Sequence, residues 1–223
     1  MYISFISVAA DLRYNLPKIL MVLGGLLIII GVIDFFLLFG SVLSLEFNYY
    51  AAGTEAKIQS LVDKNSQVAP KPLLPIDTNF GIVIPKIGAN ARIIANVNPF
   101  DPAEYQQKLA LGVAHAWDSS LPGFGGNIFL FSHSGADFRE ASRYNAVFYL
   151  IDKLQSGDEI DLYYRGKKYI YLVKEKKIVD PERVEYIPAK LTSLRETVTL
   201  MTCWPAGTTF KRLLVIAEAG AGE

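Results

Sequence analysis

The 223-residue sequence predicts an all-β domain, a barrel or sandwich with short helices, set behind one N-terminal apolar helix. Three observations predict it. Short strand-like runs recur at close spacing from residue 80 to residue 219, punctuated by Gly, Pro and Asn. One long apolar run, ILMVLGGLLIIIGVIDFFLLFGSVLSL at 19–45, holds most of the hydrophobic excess of a chain that is 51% hydrophobic. Between the two lies VAPKPLLPIDTN, whose three prolines read as an extended linker.

The apolar run is long enough to cross a bilayer, which takes about 20 apolar residues in a helix. It exceeds the apolar core of a secretory signal peptide, and no A-x-A-like cleavage site follows it. An uncleaved transmembrane helix is therefore expected. Its one charge, Asp34, would cost roughly 3 kcal/mol at mid-membrane. A span beginning near Leu16 places Asp34 toward the far end, where that cost shrinks. Arg13 and Lys18 precede the run, beside Asp11, and no Lys or Arg follows until Lys57. The positive-inside rule then puts the N-terminus in the cytoplasm and the bulk of the chain outside. The expected organisation is a cytoplasmic N-terminus at 1–17, a membrane anchor at 18–42, a stalk or linker at 43–78 and the folded domain at 79–223. Within the stalk, YYAAGTEAKIQSLVDKN reads as helix or stalk.

The strands follow in order. FGIVIP (80–85) has a β-branched centre and ends at Pro85. ARIIANV (91–97) follows a turn at 88–90. DPAEYQQKLALGVAHA (101–116) begins as a helix, with Asp101 as N-cap and Pro102 at the first helical position. GNIFLFSH (126–133) is a buried strand by its apolar run after Gly-Gly. YNAVFYLIDKLQSGDEI starts as loop or short helix and turns at Ser156-Gly157-Asp158. The stretch 158–179 alternates and breaks at Arg165-Gly166, the pattern of a hairpin. ETVTLMTC (196–203) and FKRLLVIAEA (210–219) are two more strands around WPAGTT.

Charge excludes some functions. The 22 basic and 22 acidic residues cancel, and no Lys/Arg-rich block occurs, so nothing points to a nucleic-acid partner. No acidic cluster marks a metal or calcium site, and no cofactor is expected. The reactive side chains are few: one cysteine, Cys203, and two histidines, His115 and His133. A lone thiol in an exported domain is either a reactive or cross-linking group, or a small buried hydrophobe. Cys203 closes a strand-like run and is followed by Trp204-Pro205, which cannot continue a ladder. His133 likewise closes an apolar run, followed by Ser134-Gly135. Arg212 lies nine positions after Cys203 across a short Pro/Gly turn, so a hairpin would set the two side by side.

Each type has a chemical use. A thiolate is a nucleophile that needs a nearby base or cation. An imidazole can protonate a leaving amine. A guanidinium keeps its charge and can hold an oxyanion or a carbonyl. Together they suit acyl transfer through a thioester. The bland alternatives are an inert core thiol, a turn histidine and an exposed edge charge beside Lys211. Trp204 and the tyrosines of 163–171 read as packing residues.

The same segments carry a resemblance. TLMTC (199–203) is similar to the T-L-x-T-C signature of sortases, with KRLLV supplying the downstream arginine. GVAHAWDSSLPGFGGNIFLFSHSG (112–135) resembles their G-x-G-H, L-P-G, G-G-N and G-H segment, with Ser132 where the family usually has glycine before the histidine. FGIVIPKIGANARII (80–94) resembles their opening strand, and IVDPERVEYI (178–187) the stretch before the active-site strand. The resemblance runs from about residue 79 to residue 218. It implies a closed β-barrel with short helices and a membrane-anchored cysteine transpeptidase, with its catalytic domain outside the cell. Such an enzyme cleaves an LPXTG-like sorting signal between Thr and Gly, and passes the acyl group to an amine of a cell-wall precursor or pilin subunit. By motif position, the resemblance makes Cys203 the nucleophile, His133 the general acid and Arg212 the oxyanion or substrate-positioning residue. Thr199, Leu200, Thr202 and His115 fall at positions near the peptide groove. Two other functions stay open on these residues: a membrane-anchored cysteine hydrolase, and a non-catalytic cell-surface binding module.

Overall fold

The computed structural model describes residues 3–62, 73–135, 147–183 and 195–220. The chain divides into two compact units, residues 1–43 and 44–223. Helix α1 spans Ile3–Val62 and continues through Pro17. It contains Leu16–Leu37, a stretch long and apolar enough to cross a membrane. The segment expected as stalk is thus helical as far as Val62, and the expected boundary at 42/43 falls inside one continuous helix. The proline-rich linker lies mostly outside the described residues.

The second unit holds a barrel of eight strands: β1 Phe80–Ile84, β2 Ala89–Val97, β3 Val113–Ala116, β4 Asn127–Phe131, β5 Glu159–Tyr164, β6 Lys167–Val179, β7 Thr197–Trp204 and β8 Lys211–Ala219. Their order is β1-β2-β3-β4-β7-β8-β6-β5, and β5 pairs with β1 to close the sheet. Closure removes both exposed edges, which decides between the barrel and the sandwich. Turns with short polar or glycine residues join the antiparallel neighbours, as at Arg165-Gly166 between β5 and β6. A 3-10 turn at Pro85–Ile87 links β1 to β2. Helix α2, Pro102–Leu109, has Asp101 as its N-cap: the carboxylate accepts from the N–H groups of Ala103 and Glu104.

One expectation changes and another holds. GVAHA, attached to the α2 segment, yields β3, because the helix stops at Leu109 and the chain turns back to run parallel to β2. The segment 144–160 supplies a 3-10 turn at Ile151–Lys153, in keeping with a short helix; its first residues, and those of IVDPERVEYI from 184 on, lie outside the described residues.

Alternation sorts each strand into two faces. Ile128 and Leu130 of β4, Val198 and Leu200 of β7, and Leu213, Val215 and Ala217 of β8 point inward and fill the barrel. The odd residues of β4 and β7 point outward: Phe129, Phe131 and Met201 pack beneath Tyr105 and Leu109 of α2 in a second, smaller cluster. That outer cluster is the floor on which the site is built.

Candidate active site

Strands β4 and β7 run parallel, with Asn127 opposite Thr197 and Phe131 opposite Met201. Two residues beyond that last pair lie His133 and Cys203, on the outward parity of both strands. The end of β4 is tied to its neighbour by two bonds. The Ser132 N–H donates to the Met201 carbonyl (3.2 Å), and the Thr202 hydroxyl donates to the Ser132 carbonyl (2.9 Å). On the other side, β7 and β8 are antiparallel and Cys203 is the direct register partner of Arg212. Arg212 is in turn the register partner of Val179 in β6. The thiol is thus flanked by the histidine-bearing strand end on one side and the guanidinium on the other.

Cys203, His133, Arg212 and Thr202 all line one cavity of about 350 Å³, open on the outer face of the barrel. Its wall is otherwise largely apolar, with Phe131, Met201 and Leu214 from the sheet and Tyr105 and Leu109 from α2. The Arg212 guanidinium donates from Nη1 to the carbonyls of Thr209 (3.2 Å) and Lys211 (3.1 Å), which hold it at the β7–β8 turn. Cys203 is half-buried. Burial pushes its thiol above the ordinary range, and the positive charge of Arg212 pulls it back in part. A neutral thiol is therefore the resting form near pH 7, and its activation needs a proton acceptor. The hydroxyls of Ser132 and Ser134 are buried with no hydrogen-bond partner among the described residues.

The other residues expected near substrate do not line this cavity. Leu200 is fully buried in the barrel core, on the inward face of β7. Thr199 faces outward but is buried, and its hydroxyl donates to the Asn127 side-chain oxygen at 3.0 Å. Thr197 donates to the same oxygen, also at 3.0 Å. These bonds fix the β4–β7 register, so Thr199 acts on the site through strand alignment rather than contact. His115 is fully buried inside the barrel against Phe80. Its Nδ1 accepts from the Asn96 N–H (3.4 Å), so Nε2 carries the proton and donates to the Ser120 carbonyl (2.9 Å). Asn96 is the positive-φ residue of a bulge between β2 and β3, and His115 fastens it.

Sequence reasoning missed Asn127 and Glu196. The Glu196 carboxylate accepts from the N–H groups of Gly123 (2.9 Å) and Gly125 (2.8 Å) and from the Tyr171 hydroxyl. A Cβ at Gly123, where φ is +88°, would lie 2.9 Å from the Tyr169 hydroxyl oxygen. The LPGFGG loop is therefore a clamp at the end of the β4–β7 pair remote from Cys203. The signal for Asn127 was its place after Gly-Gly at the start of an apolar strand. For Glu196 no sequence signal separated it from other acids. Among the described residues no group of three or more His, Cys, Asp or Glu side chains is placed to hold a metal ion.

A family model described as the sortase domain matches residues 82–219. The chain belongs to the sortase family. These are cysteine transpeptidases, and the match covers every strand of the barrel but the first two residues of β1. Solved sortases share the fold. Sortase C1 from Streptococcus agalactiae is 28% identical over 74% of this chain and 77% of its own, with a TM-score of 0.52. A lid mutant of sortase A from Corynebacterium diphtheriae is 26% identical over 71% and 76%, with a TM-score of 0.52. A Clostridium perfringens sortase D5 transpeptidase, at 24% identity over 75% and 89% with a TM-score of 0.52, is similar in fold. No curated protein sequence matches the chain. The apolar stretch Leu16–Leu37 fits the membrane anchor that sortases carry.

Proposed function

We propose that this sortase cleaves an LPXTG-like sorting signal at the C-terminus of secreted proteins and transfers the acyl fragment to an amine of a cell-wall precursor or pilin subunit. In this reading residues 18–42 anchor it, the N-terminus is cytoplasmic and the barrel is extracellular. Cys203 passes its proton to His133 and attacks the threonine carbonyl. Arg212 stabilises the oxyanion that forms. The His133 imidazolium gives its proton to the departing glycine nitrogen, and the C–N bond breaks to leave a thioester on Cys203. An incoming amine then attacks the thioester, loses a proton to His133 and releases the thiol. Thr202 holds the β4 end in place and borders the peptide.

The observation that carries the reading is the register pairing of Cys203 with Arg212, with His133 lining the same cavity. The test is intact-mass analysis of the full-length chain in detergent with LPXTG-like peptides, with and without an added amine. The expected result is a mass gain equal to the peptide fragment ending at Thr, absent in Cys203→Ala and discharged onto the amine. An adduct discharged by water alone at the same rate, with amine present, would make the protein a hydrolase. No adduct with any peptide, from a folded protein, would contradict the reading.

A further inference from the structure

His115 is a buried titratable group that the transfer chemistry does not use, and its bonds lead to one wall of the Cys203 cavity. Its Nδ1 faces the Asn96 N–H at 3.4 Å. Its Nε2 lies 2.9 Å from the Ser120 carbonyl and 2.8 Å from the Ser119 hydroxyl oxygen. The Ser119 hydroxyl spends its proton on the Ala116 carbonyl (2.8 Å), so Nε2 is the donor to both and Nδ1 keeps its lone pair. Asn96 stands in the left-handed region (φ 58°), one residue before Val97, whose carbonyl accepts from the Trp117 N–H (2.9 Å). The next four residues form a turn bonded within itself. Its Phe100 N–H donates to the Asn98 side-chain oxygen (3.0 Å), and its Asp101 N–H to the Asn98 carbonyl (3.4 Å). Pro99 and Phe100 of that turn line the cavity.

We propose that neutral His115 is a positioning residue for the peptide: through Asn96 it holds the Pro99–Phe100 lip of the cavity in place, and a proton on Nδ1 releases that lip. The proposal rests on the peptide-transfer reading above, which puts the peptide in this cavity. Protonation turns Nδ1 from acceptor to donor, so two N–H groups then face each other at a backbone conformation that a non-glycine residue adopts at a cost. The groups packed about the ring are Phe80 from β1, Asn96 from β2, and Ser119 and Ser120 after β3; Asp118 in the same turn is exposed. Burial lowers the pKa of the ring and its bond to Ser120 raises it in part, with no charged side chain among the causes. The neutral form is therefore the working one near pH 7, and release belongs to acid, below about 6.5. Pro99 and Phe100 carry no side-chain group that moves a proton or holds an oxyanion, so a loosened lip shows in KM rather than in kcat.

The test measures kcat and KM for an LPXTG-like peptide from about pH 8 to about pH 5, with full-length wild type, His115→Asn and His115→Leu in detergent. Asparagine keeps an acceptor at the Nδ1 position and takes up no proton, whereas leucine offers no acceptor. Near pH 7.5, His115→Leu is expected to raise KM about tenfold with kcat within about twofold, and His115→Asn to stay within about threefold of the wild-type KM. Below about pH 6.5 the wild-type KM should climb relative to that of His115→Asn, while the titration of His133 is common to both and cancels in the ratio. A wild-type KM in His115→Leu, a KM in His115→Asn as high as in His115→Leu, or parallel KM curves for wild type and His115→Asn would overturn the proposal. Should His115→Leu fail to fold, wild type against His115→Asn decides alone. If the wild type turns over no peptide, the transfer reading fails, and amide hydrogen exchange at residues 96–101 tests the tie without substrate. Faster exchange in His115→Leu that His115→Asn restores supports the tie, and unchanged exchange overturns it.

Discussion

The two ends of the parallel β4–β7 pair are built from the same strands, yet they differ in kind. At the start, Asn127 accepts from Thr197 and Thr199, and Glu196 accepts from Gly123, Gly125 and Tyr171. At the finish, Cys203 and His133 border an open cavity, and two serine hydroxyls are buried without partners among the described residues. Buried polar groups that are fully satisfied fix a structure, while unsatisfied ones gather where chemistry is done. The T-L-x-T-C signature is thus two devices: Thr199 sets the register four residues before Cys203, where the register is used.

The largest expected effect at the satisfied end comes from Asn127→Ala. It removes the acceptor of two hydroxyls, one of them buried, and should destabilise the barrel by about 2 kcal/mol in chemical denaturation. Adding Thr199→Val should recover part of that loss, because an unsatisfied buried hydroxyl costs more than an absent one. No recovery would show that Asn127 acts through packing instead.

A smaller effect is expected from His115, which belongs with the satisfied groups. Burial lowers its pKa, outweighing its bond to Ser120. The unfolded chain then binds more protons than the folded one below the ordinary histidine value of about 6.5. Its contribution to stability is full above that pH and is lost as the pH falls toward the lowered folded value. Melting temperature measured from pH 8 to pH 5 should fall more steeply for wild type than for His115→Gln. Parallel curves would mean that His115 binds its proton alike in the folded and the unfolded chain, so that burial does not lower its pKa.

Much of this was legible in the sequence. Seven of the eight strands stood out by apolar runs and turn residues, and the Arg165-Gly166 hairpin and Asp101 cap appeared where patterns placed them. The nine-residue spacing of Cys203 and Arg212 sufficed to pair them across a hairpin. Strand β3 was hidden because four residues, two of them alanine, carry little periodic signal after a helix. The roles of Thr199, Leu200 and His115 were hidden for a different reason. A motif marks residues that matter, and period-2 alternation must be laid over it to tell contact from support: Leu200 faces the core and Cys203 the cavity. The partnership of Asn127 with Thr199 joins positions 72 apart, and only the parallel register brings them together.

The division proposed for this strand pair gives stability to one end and chemistry to the other. It is tested most directly by His133→Ala, with single-turnover acylation of Cys203 and thermal unfolding measured on the same sample. The predicted result is a 10²- to 10⁴-fold slower acylation, about the worth of one proton-transfer group, with unfolding unchanged. Acylation within about threefold of wild type, or a marked loss of stability, would contradict the division of labour between the two ends.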